Sequence, residues 1–192
     1  AIAQPESLLG ELPVLTETER VEQLVHWNSL TAAIPESRGL HAFFEEQTIK
    51  TPTKLAISCD GVQLSYLELN ARANQLAHYL REQGVGPEAV VGLCLKRSLD
   101  MIVGILGILK AGGAYVPIDA DFPVKRIISL LEDSRAMLLI THQTLLDKIP
   151  AKQLPVFCLD SNRGILSRKS RDNPRNLTSP AHLAYIIYTS GS

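Results

Sequence analysis

The sequence predicts an α/β fold in which a largely parallel sheet is flanked by helices. Short apolar runs alternate along the chain with segments of helical periodicity, which is the pattern of parallel-sheet proteins. Residues 89–95 are apolar throughout, as expected of a strand that is buried on both faces. The 192 residues are 45% apolar and 20% charged, which indicates one globular domain with an extension and excludes a disordered or collagenous chain.

A short helix is predicted near the N-terminus. Thr16 and Glu19 have the spacing of a capping box, so we expect a helix that begins there and runs to about Trp27. Residues 28–39 have the composition of a connector, and we place a domain boundary within them.

The next segments predict a helix, a β-hairpin and a longer helix. Residues 40–50 continue a helical period that Thr51-Pro52 ends. Strands are expected at 55–59 and 62–65, because Asp60-Gly61 between them is a favoured two-residue hairpin loop. Ser65 and Glu68 form a second capping box, and the helix that they begin ends at Gly84.

The remaining elements alternate as the fold class requires. Ser98 begins a helix over 99–111 that is apolar nearly all round, so we expect it to be buried, with Ile102, Ile105, Leu106 and Leu109 in the core. Gly112 and Gly113 end that helix. Further strands are predicted at 114–118, 136–141, 154–159 and 183–188, helices after Pro123 and near 143–148, and a polar loop at 162–180.

Charge and cysteine content exclude several classes of function. There are 19 Lys and Arg against 20 Asp and Glu, which is unlike a nucleic-acid-binding domain. The one basic cluster, 163–175, is interspersed with polar residues and is interpreted as a solvated loop. Cys59, Cys94 and Cys158 are widely spaced and are expected to be buried thiols, and the histidines are scattered, so we assign no metal ligands. No membrane helix or signal peptide is predicted, and we expect a cytoplasmic protein without a membrane or nucleic-acid partner.

The last predicted strand runs into four residues with the chemistry of a phosphate-binding loop: Thr189, Ser190, Gly191 and Ser192. Glycine lets the backbone approach an anion closely, and hydroxyl and backbone N–H groups donate to phosphate oxygens. Ser and Gly after a strand also form ordinary turns, so the residues alone leave both interpretations open. The segment is not a Walker loop.

Three segments together resemble one enzyme family. Residues 64–69 read Leu-Ser-Tyr-Leu-Glu-Leu, and residues 109–119 read Leu-Lys-Ala-Gly-Gly-Ala-Tyr-Val-Pro-Ile-Asp. Residues 183–192 read Leu-Ala-Tyr-Ile-Ile-Tyr-Thr-Ser-Gly-Ser. In this order they resemble the first motif, the second motif and the start of the third motif of the adenylation domains of nonribosomal peptide synthetases. Residues 12–28 resemble the linker that joins a condensation domain to such a domain.

The resemblance implies an organisation and a fold. Residues 1–36 would be an interdomain linker with a short helix. Residues 37–192 would be the N-terminal portion of an adenylation (AMP-binding) domain, within the large subdomain of the adenylate-forming fold and truncated at the phosphate-binding loop. The third motif normally continues through Thr-Gly and Pro-Lys-Gly, and the later motifs carry the substrate pocket and a catalytic lysine. Because these 192 residues contain none of them, the fragment alone is expected to be inactive.

The resemblance also implies a reaction and its participants. An amino acid is activated with ATP and Mg²⁺ to an aminoacyl adenylate, and the acyl group then moves to the phosphopantetheine thiol of a carrier domain. The partners would be the amino-acid substrate, an upstream condensation domain and a downstream carrier domain. The site residues would be Thr189, Ser190, Gly191 and Ser192, all in a phosphate-binding role, with no catalytic or metal-binding residue assigned.

Two other functions remain open at this point. One is an acyl or aryl acid-coenzyme A ligase of the same superfamily. The sequence of residues 114–119 and the preceding linker favour the peptide synthetase over this alternative. The other is a non-catalytic, truncated structural fragment.

Overall fold

The computed structural model describes residues 15–29, 39–149 and 154–189. The chain separates into two compact units, Ala1–Pro35 and Glu36–Ser192. That the first unit is an interdomain linker stays a prediction, and most of the connector between the units lies outside the described residues. In the part of the chain that the structure describes, no helix is both long and apolar enough to cross a bilayer.

The first unit contains the predicted N-terminal helix. The Thr16 hydroxyl accepts a hydrogen bond from the Glu19 N–H (3.3 Å), and the Glu19 carboxylate accepts one from the Thr16 N–H (2.8 Å), which completes the capping box. Helix α1 (Glu17–Val21) continues as a π-helical turn, Glu22–His26. The predicted extent to about Trp27 is therefore confirmed, with a wider final turn than an α-helix would have.

The second unit is a four-stranded parallel sheet with helices on both faces and a separate antiparallel hairpin. Its elements are α2 (Leu40–Lys50), β1 (Leu55–Cys59), β2 (Val62–Ser65), α3 (Tyr66–Glu82), β3 (Val90–Leu93), α4 (Leu99–Ala111), β4 (Ala114–Pro117), α5 (Val124–Asp133), β5 (Leu138–Thr141), a 3₁₀ helix (Gln143–Lys148), β6 (Val156–Cys158) and α6 (Arg163–Leu166). The sheet order is β4-β3-β5-β6, with all neighbours parallel. The predicted α/β class, hairpin and capped helices are confirmed.

The two faces of the sheet belong to different helices. Along β5, Leu138 and Ile140 lie in one buried cluster with α3 and α4, whereas Leu139 lies in another with α5 and the 3₁₀ helix. This alternation is the two-residue period of a strand. All four residues of β3 and of β5 are buried, as the apolar runs predict.

The predicted core face of α4 is partly wrong. Leu109 is buried, but Ile102, Ile105 and Leu106 are only half-buried, and the other buried apolar side chains of the helix are Val103, Ile108 and Ala111. The helix packs through a face that also contains Gly104 and Gly107, which bring its backbone close to β3 and α3. Because α4 is apolar nearly all round, periodicity could not select this face, and the small residues that define it carry no apolar signal.

The polar loop predicted at 162–180 contacts helix α3 through hydrogen bonds, although most of its residues are exposed. It begins with the short helix α6, and the part from 167 to 182, which we call the crossing loop, runs over α3. Backbone carbonyls of this loop accept hydrogen bonds from the side chains of Asn74 (to Arg171, 2.6 Å) and Arg81 (to Arg175, 2.6 Å). The loop connects β6, at one edge of the sheet, to a segment beside β4 at the other.

That last segment touches the sheet through one bridge in place of the full strand predicted at 183–188. The Tyr115 N–H donates to the Ala184 carbonyl (3.2 Å), and the Ile186 N–H donates to the Tyr115 carbonyl (2.9 Å). The bridge between Tyr115 and Tyr185 is parallel, and the centroids of their rings are 5.8 Å apart. The segment therefore runs in the same direction as β4.

Candidate functional site

The predicted phosphate-binding residues begin at the edge of the sheet where the strands end. Because the segment before Tyr188 is parallel to β4, the chain reaches Thr189 at the carboxyl-terminal edge. Ligands of open α/β sheets bind outside this edge. Ser190, Gly191 and Ser192 lie outside the described residues, and the phosphate-binding role of all four residues stays a prediction.

A cavity of about 450 Å³ opens at this edge, and we call it the edge cavity. Its wall is mainly apolar, and Asp119 and Arg126 contribute the only charged side chains among the residues described there. Its lining residues come from β3, β4 and the segments that follow them, from α4 and α5, and from the last segment: Leu93, Leu95, Met101, Ile105, Tyr115, Pro117, Ile118, Asp119, Phe122, Arg126, Leu130, Ile187 and Tyr188. Such a wall combines space for an organic group with one anionic and one cationic contact.

Tyr188 lines this cavity and is hydrogen-bonded to helix α5. Its side chain lines the cavity with Arg126 and Leu130, and its hydroxyl donates a hydrogen bond to the Asp133 carboxylate. That hydrogen bond raises the pKa of Tyr188, and partial burial adds to the effect. The tyrosine therefore keeps its proton at neutral pH and acts here as a donor.

The cysteine that follows β3 is not a candidate nucleophile. Cys94 follows β3 and is completely buried, and burial raises its pKa to about 11. At neutral pH it is an uncharged thiol in the core. Cys158 is buried as predicted, whereas Cys59 is half-buried in the hairpin, and all three are free. The described residues contain no group of three or more His, Cys, Asp or Glu side chains placed to hold a metal ion.

Lys110, within the second motif, is a structural residue in the last turn of α4. Its side chain is fully buried and donates to the carboxylate of Glu45 on α2 and to Asn173 in the crossing loop (3.3 Å). Burial lowers the pKa of Lys110, and the hydrogen bond to Glu45 opposes that shift. The sequence indicates only a position near a helix end for this lysine, because its partners are 65 and 63 residues away along the chain.

A second polar cluster lies where β5 and β6 end. His142 Nε2 is 3.0 Å from the Asp100 carboxylate, and Arg163 Nη2 is 3.5 Å from the same oxygen. No sequence pattern indicated this cluster, since the three residues belong to different elements. It is apart from the edge cavity and shares no lining residue with it.

Comparison with known proteins identifies the class of this fold and site. The sequence pattern described as AMP-binding enzyme matches residues 44–192, and the chain belongs to this family. Within the family it is homologous to the adenylation domains of nonribosomal peptide synthetases and matches their N-terminal part.

Two relatives, one of them in two ligand-bound forms, define that match. Gramicidin S synthase 2 of Aneurinibacillus migulanus is 46% identical over 191 residues, which are 100% of this chain and 4% of that protein. The crystal structure of the nonribosomal peptide synthetase FmoA3, as a variant bound to α-methyl-L-serine-AMP, superposes with a TM-score of 0.78 at 32% identity over 85% of this chain and 18% of that one. Its AMPPNP-bound form gives the same TM-score and identity over 85% and 17%. The chain thus spans a small fraction of each relative.

Proposed function

We propose that this chain is part of a synthetase module that activates an amino acid with ATP, giving an aminoacyl adenylate for transfer to a carrier-domain phosphopantetheine thiol. The observation that carries the proposal is the parallel bridge between Tyr115 and Tyr185, which directs Thr189 to the carboxyl-terminal edge of the sheet. The homologous FmoA3 structures with AMPPNP and an aminoacyl-AMP support a nucleotide ligand.

In this proposal Thr189, Ser190, Gly191 and Ser192 bind the phosphates of ATP. The hydroxyls and backbone N–H groups donate to phosphate oxygens, and the glycine allows the backbone to come close. Such contacts stabilise the charge that develops on the leaving phosphates. The chain needs no nucleophile of its own, because the attacking group is the carboxylate of the amino acid.

The remaining participants belong to the complete protein. Mg²⁺ would be bound together with the ATP phosphates in the complete domain, and no residue of this chain is assigned to it. The partners are an upstream condensation domain and a downstream carrier domain, with residues 1–36 as the linker to the former. The free thiols fit a reducing compartment, and the proposed location is the cytoplasm.

The test is amino-acid-dependent ATP–pyrophosphate exchange by the complete synthetase module, with each proteinogenic amino acid in turn. We expect one or a few amino acids to stimulate exchange and to load the carrier domain. A matched set of fatty and aryl acids with free coenzyme A is run beside it. Stimulation by those acids with acyl-coenzyme A as product would favour the ligase alternative, and no stimulation by any acid would favour a non-catalytic role.

A further inference from the structure

Helix α5 carries its charges in the order that its own dipole disfavours. Lys125 and Arg126 lie in its first turn, whereas Glu132 and Asp133 end it; the first turn has no acidic residue and the last turn no basic one. Acidic side chains stabilise the N-terminus of a helix and basic ones the C-terminus. Helix stability therefore does not explain an aspartate at position 133.

The contact that Asp133 makes offers an explanation. Its carboxylate accepts the hydrogen bond of the Tyr188 hydroxyl, 55 residues further along the chain. Tyr188 immediately precedes Thr189, the first residue of the proposed phosphate-binding loop. Tyr188 is half-buried against the edge cavity, which Arg126 of the same helix also lines.

One bridge and one side-chain contact thus determine where the loop begins. The backbone bridge fixes Tyr185 against β4, three residues before Tyr188. The hydroxyl of Tyr188 then fixes the end of the segment to α5. A group held at both ends loses less freedom when it binds a ligand.

We infer that Tyr188 and Asp133 are a positioning pair, which holds the entry of the phosphate-binding loop in the orientation that ATP requires. The inference rests on the proposed function, and neither residue is a catalytic residue. The neutral phenol of Tyr188 donates and the carboxylate of Asp133 accepts, so removing either group breaks the same contact.

The experiment uses Tyr188→Phe, Asp133→Ala, which leaves no acceptor for the tyrosine hydroxyl, and the double variant in the complete synthetase module. ATP–pyrophosphate exchange is measured as a function of ATP and, separately, of the cognate amino acid. We expect each single variant to raise the KM for ATP about three- to tenfold, the range for loss of one partly exposed hydrogen bond to a charged group. The KM for the amino acid should stay unchanged, and the double variant should equal the single ones because the pair acts as a unit.

Two matched controls separate positioning from general effects. Glu132→Gln removes the neighbouring exposed charge from the same turn of α5, and Tyr66→Phe removes a hydroxyl from a half-buried ring on α3, away from the loop. Neither should change the KM for ATP. A merely structural role for the pair would lower the melting temperature and affect both substrates alike, and that result would overturn the inference, as would additive effects in the double variant.

A further variant, Thr189→Ala, keeps the inference distinct from the proposed function. If Thr189→Ala slows exchange and the Tyr188 and Asp133 variants do not, the positioning role is wrong and the phosphate loop stands. If Thr189→Ala changes nothing, the loop assignment itself fails, and the positioning role fails with it.

Discussion

The ammonium group of Lys110, at the end of α4, is fully buried and hydrogen-bonded to the carboxylate of Glu45 on α2. Asn173 of the crossing loop also accepts from it, so three separate parts of the chain meet at one charge. Glu45 keeps about a fifth of its side chain exposed. The two partners therefore differ in what each would lose without the other.

We expect Glu45→Ala to destabilise the chain more than Lys110→Met does. The first leaves a buried ammonium without its counter-charge, at a cost of about 2–4 kcal/mol, reduced from the fully buried case because Glu45 reaches solvent. The second removes the charge and its need for a partner, and it leaves a carboxylate that water can solvate. Urea unfolding of the 192-residue chain measures both, and the exposed Lys50→Met is the control, expected within about 0.5 kcal/mol of wild type. Equal losses for the two variants would contradict this account.

Stability should fall as the pH decreases below about 6.5, and His41 should contribute to this fall. His41 is buried, and burial lowers the pKa of its imidazole. The positive charges of Lys110 and Arg81 lower this pKa further. The negative charge of Glu45 and a hydrogen bond with Asn176 raise it, but the net shift is downward. The unfolded state then binds more protons than the folded state, so unfolding becomes easier as His41 titrates. His41→Gln should flatten the pH dependence of the unfolding free energy between about pH 7.5 and 5.5.

The control for that measurement is His26→Gln, which removes an exposed histidine in the other unit. It should leave the slope as it is. If His41→Gln left the pH dependence of the unfolding free energy unchanged, His41 would not be responsible for the loss of stability at low pH.

Two helical glycines should respond to alanine in opposite directions. A Cβ at Gly107 would lie 2.6 Å from Cδ2 and 3.0 Å from Cβ of Leu76 on α3, so α4 and α3 would have to separate. We expect Gly107→Ala to cost about 1–3 kcal/mol, as overpacked cores do. A Cβ at Gly164 in α6 would have no atom within 4 Å. Gly164→Ala should therefore increase the free energy of unfolding by about 0.5–1 kcal/mol, because alanine has the higher helix propensity. Thermal unfolding of both variants measures these changes in stability. An unchanged stability of Gly107→Ala would mean that α3 and α4 are not in close contact at this position.

Changes in the predicted phosphate loop should affect adenylation selectively. In the complete module, we expect Thr189→Ala to slow ATP–pyrophosphate exchange about ten- to hundredfold, because a charge-assisted hydrogen bond is worth about 1.5–3 kcal/mol. Gly191→Val should do at least as much harm, since a β-branched residue resists positive φ and would crowd the phosphates. Loading of the carrier domain from a pre-formed aminoacyl adenylate should suffer far less, because pyrophosphate has already left. If both steps fall equally, the four residues are a structural turn.

The 192-residue chain by itself should show no amino-acid-dependent exchange. It contains no counterpart of the later motifs that the resemblance places in the complete domain, among them the substrate pocket and the catalytic lysine. The measurement is exchange by the isolated chain beside the complete module at equal concentration. Clear stimulation by any proteinogenic amino acid would contradict the expectation.

The fold could be predicted where local rules decide and not where distant residues meet. The capping boxes at Thr16 and Ser65 and the hairpin turn at Asp60 depend on neighbours within four residues, and the structure contains each of them. The buried face of α4 could not be predicted, because glycine carries no hydrophobic signal. The docking of the crossing loop could not be predicted either, since its donors on α3 look like ordinary exposed polar residues in the sequence.

In the candidate site, too, neighbouring residues could be predicted and distant partners could not. Thr189 and the three residues after it could be proposed from composition and resemblance alone. The pair of Tyr188 and Asp133 could not, because it joins residues 55 positions apart, although the reversed charges of α5 were a signal in the sequence.

The crossing loop has a consequence for the order in which the molecule forms. Its hydrogen bonds to α3 join residues 94 to 103 positions apart, and contacts of such long range are expected to form late in folding. We therefore expect the segment that ends at Thr189 to attach to a sheet that has already formed. During synthesis the proposed ATP-binding edge would be the last part to acquire its native contacts, and in the native state it would be the first to open, with its amide hydrogens exchanging ahead of those of the central strands.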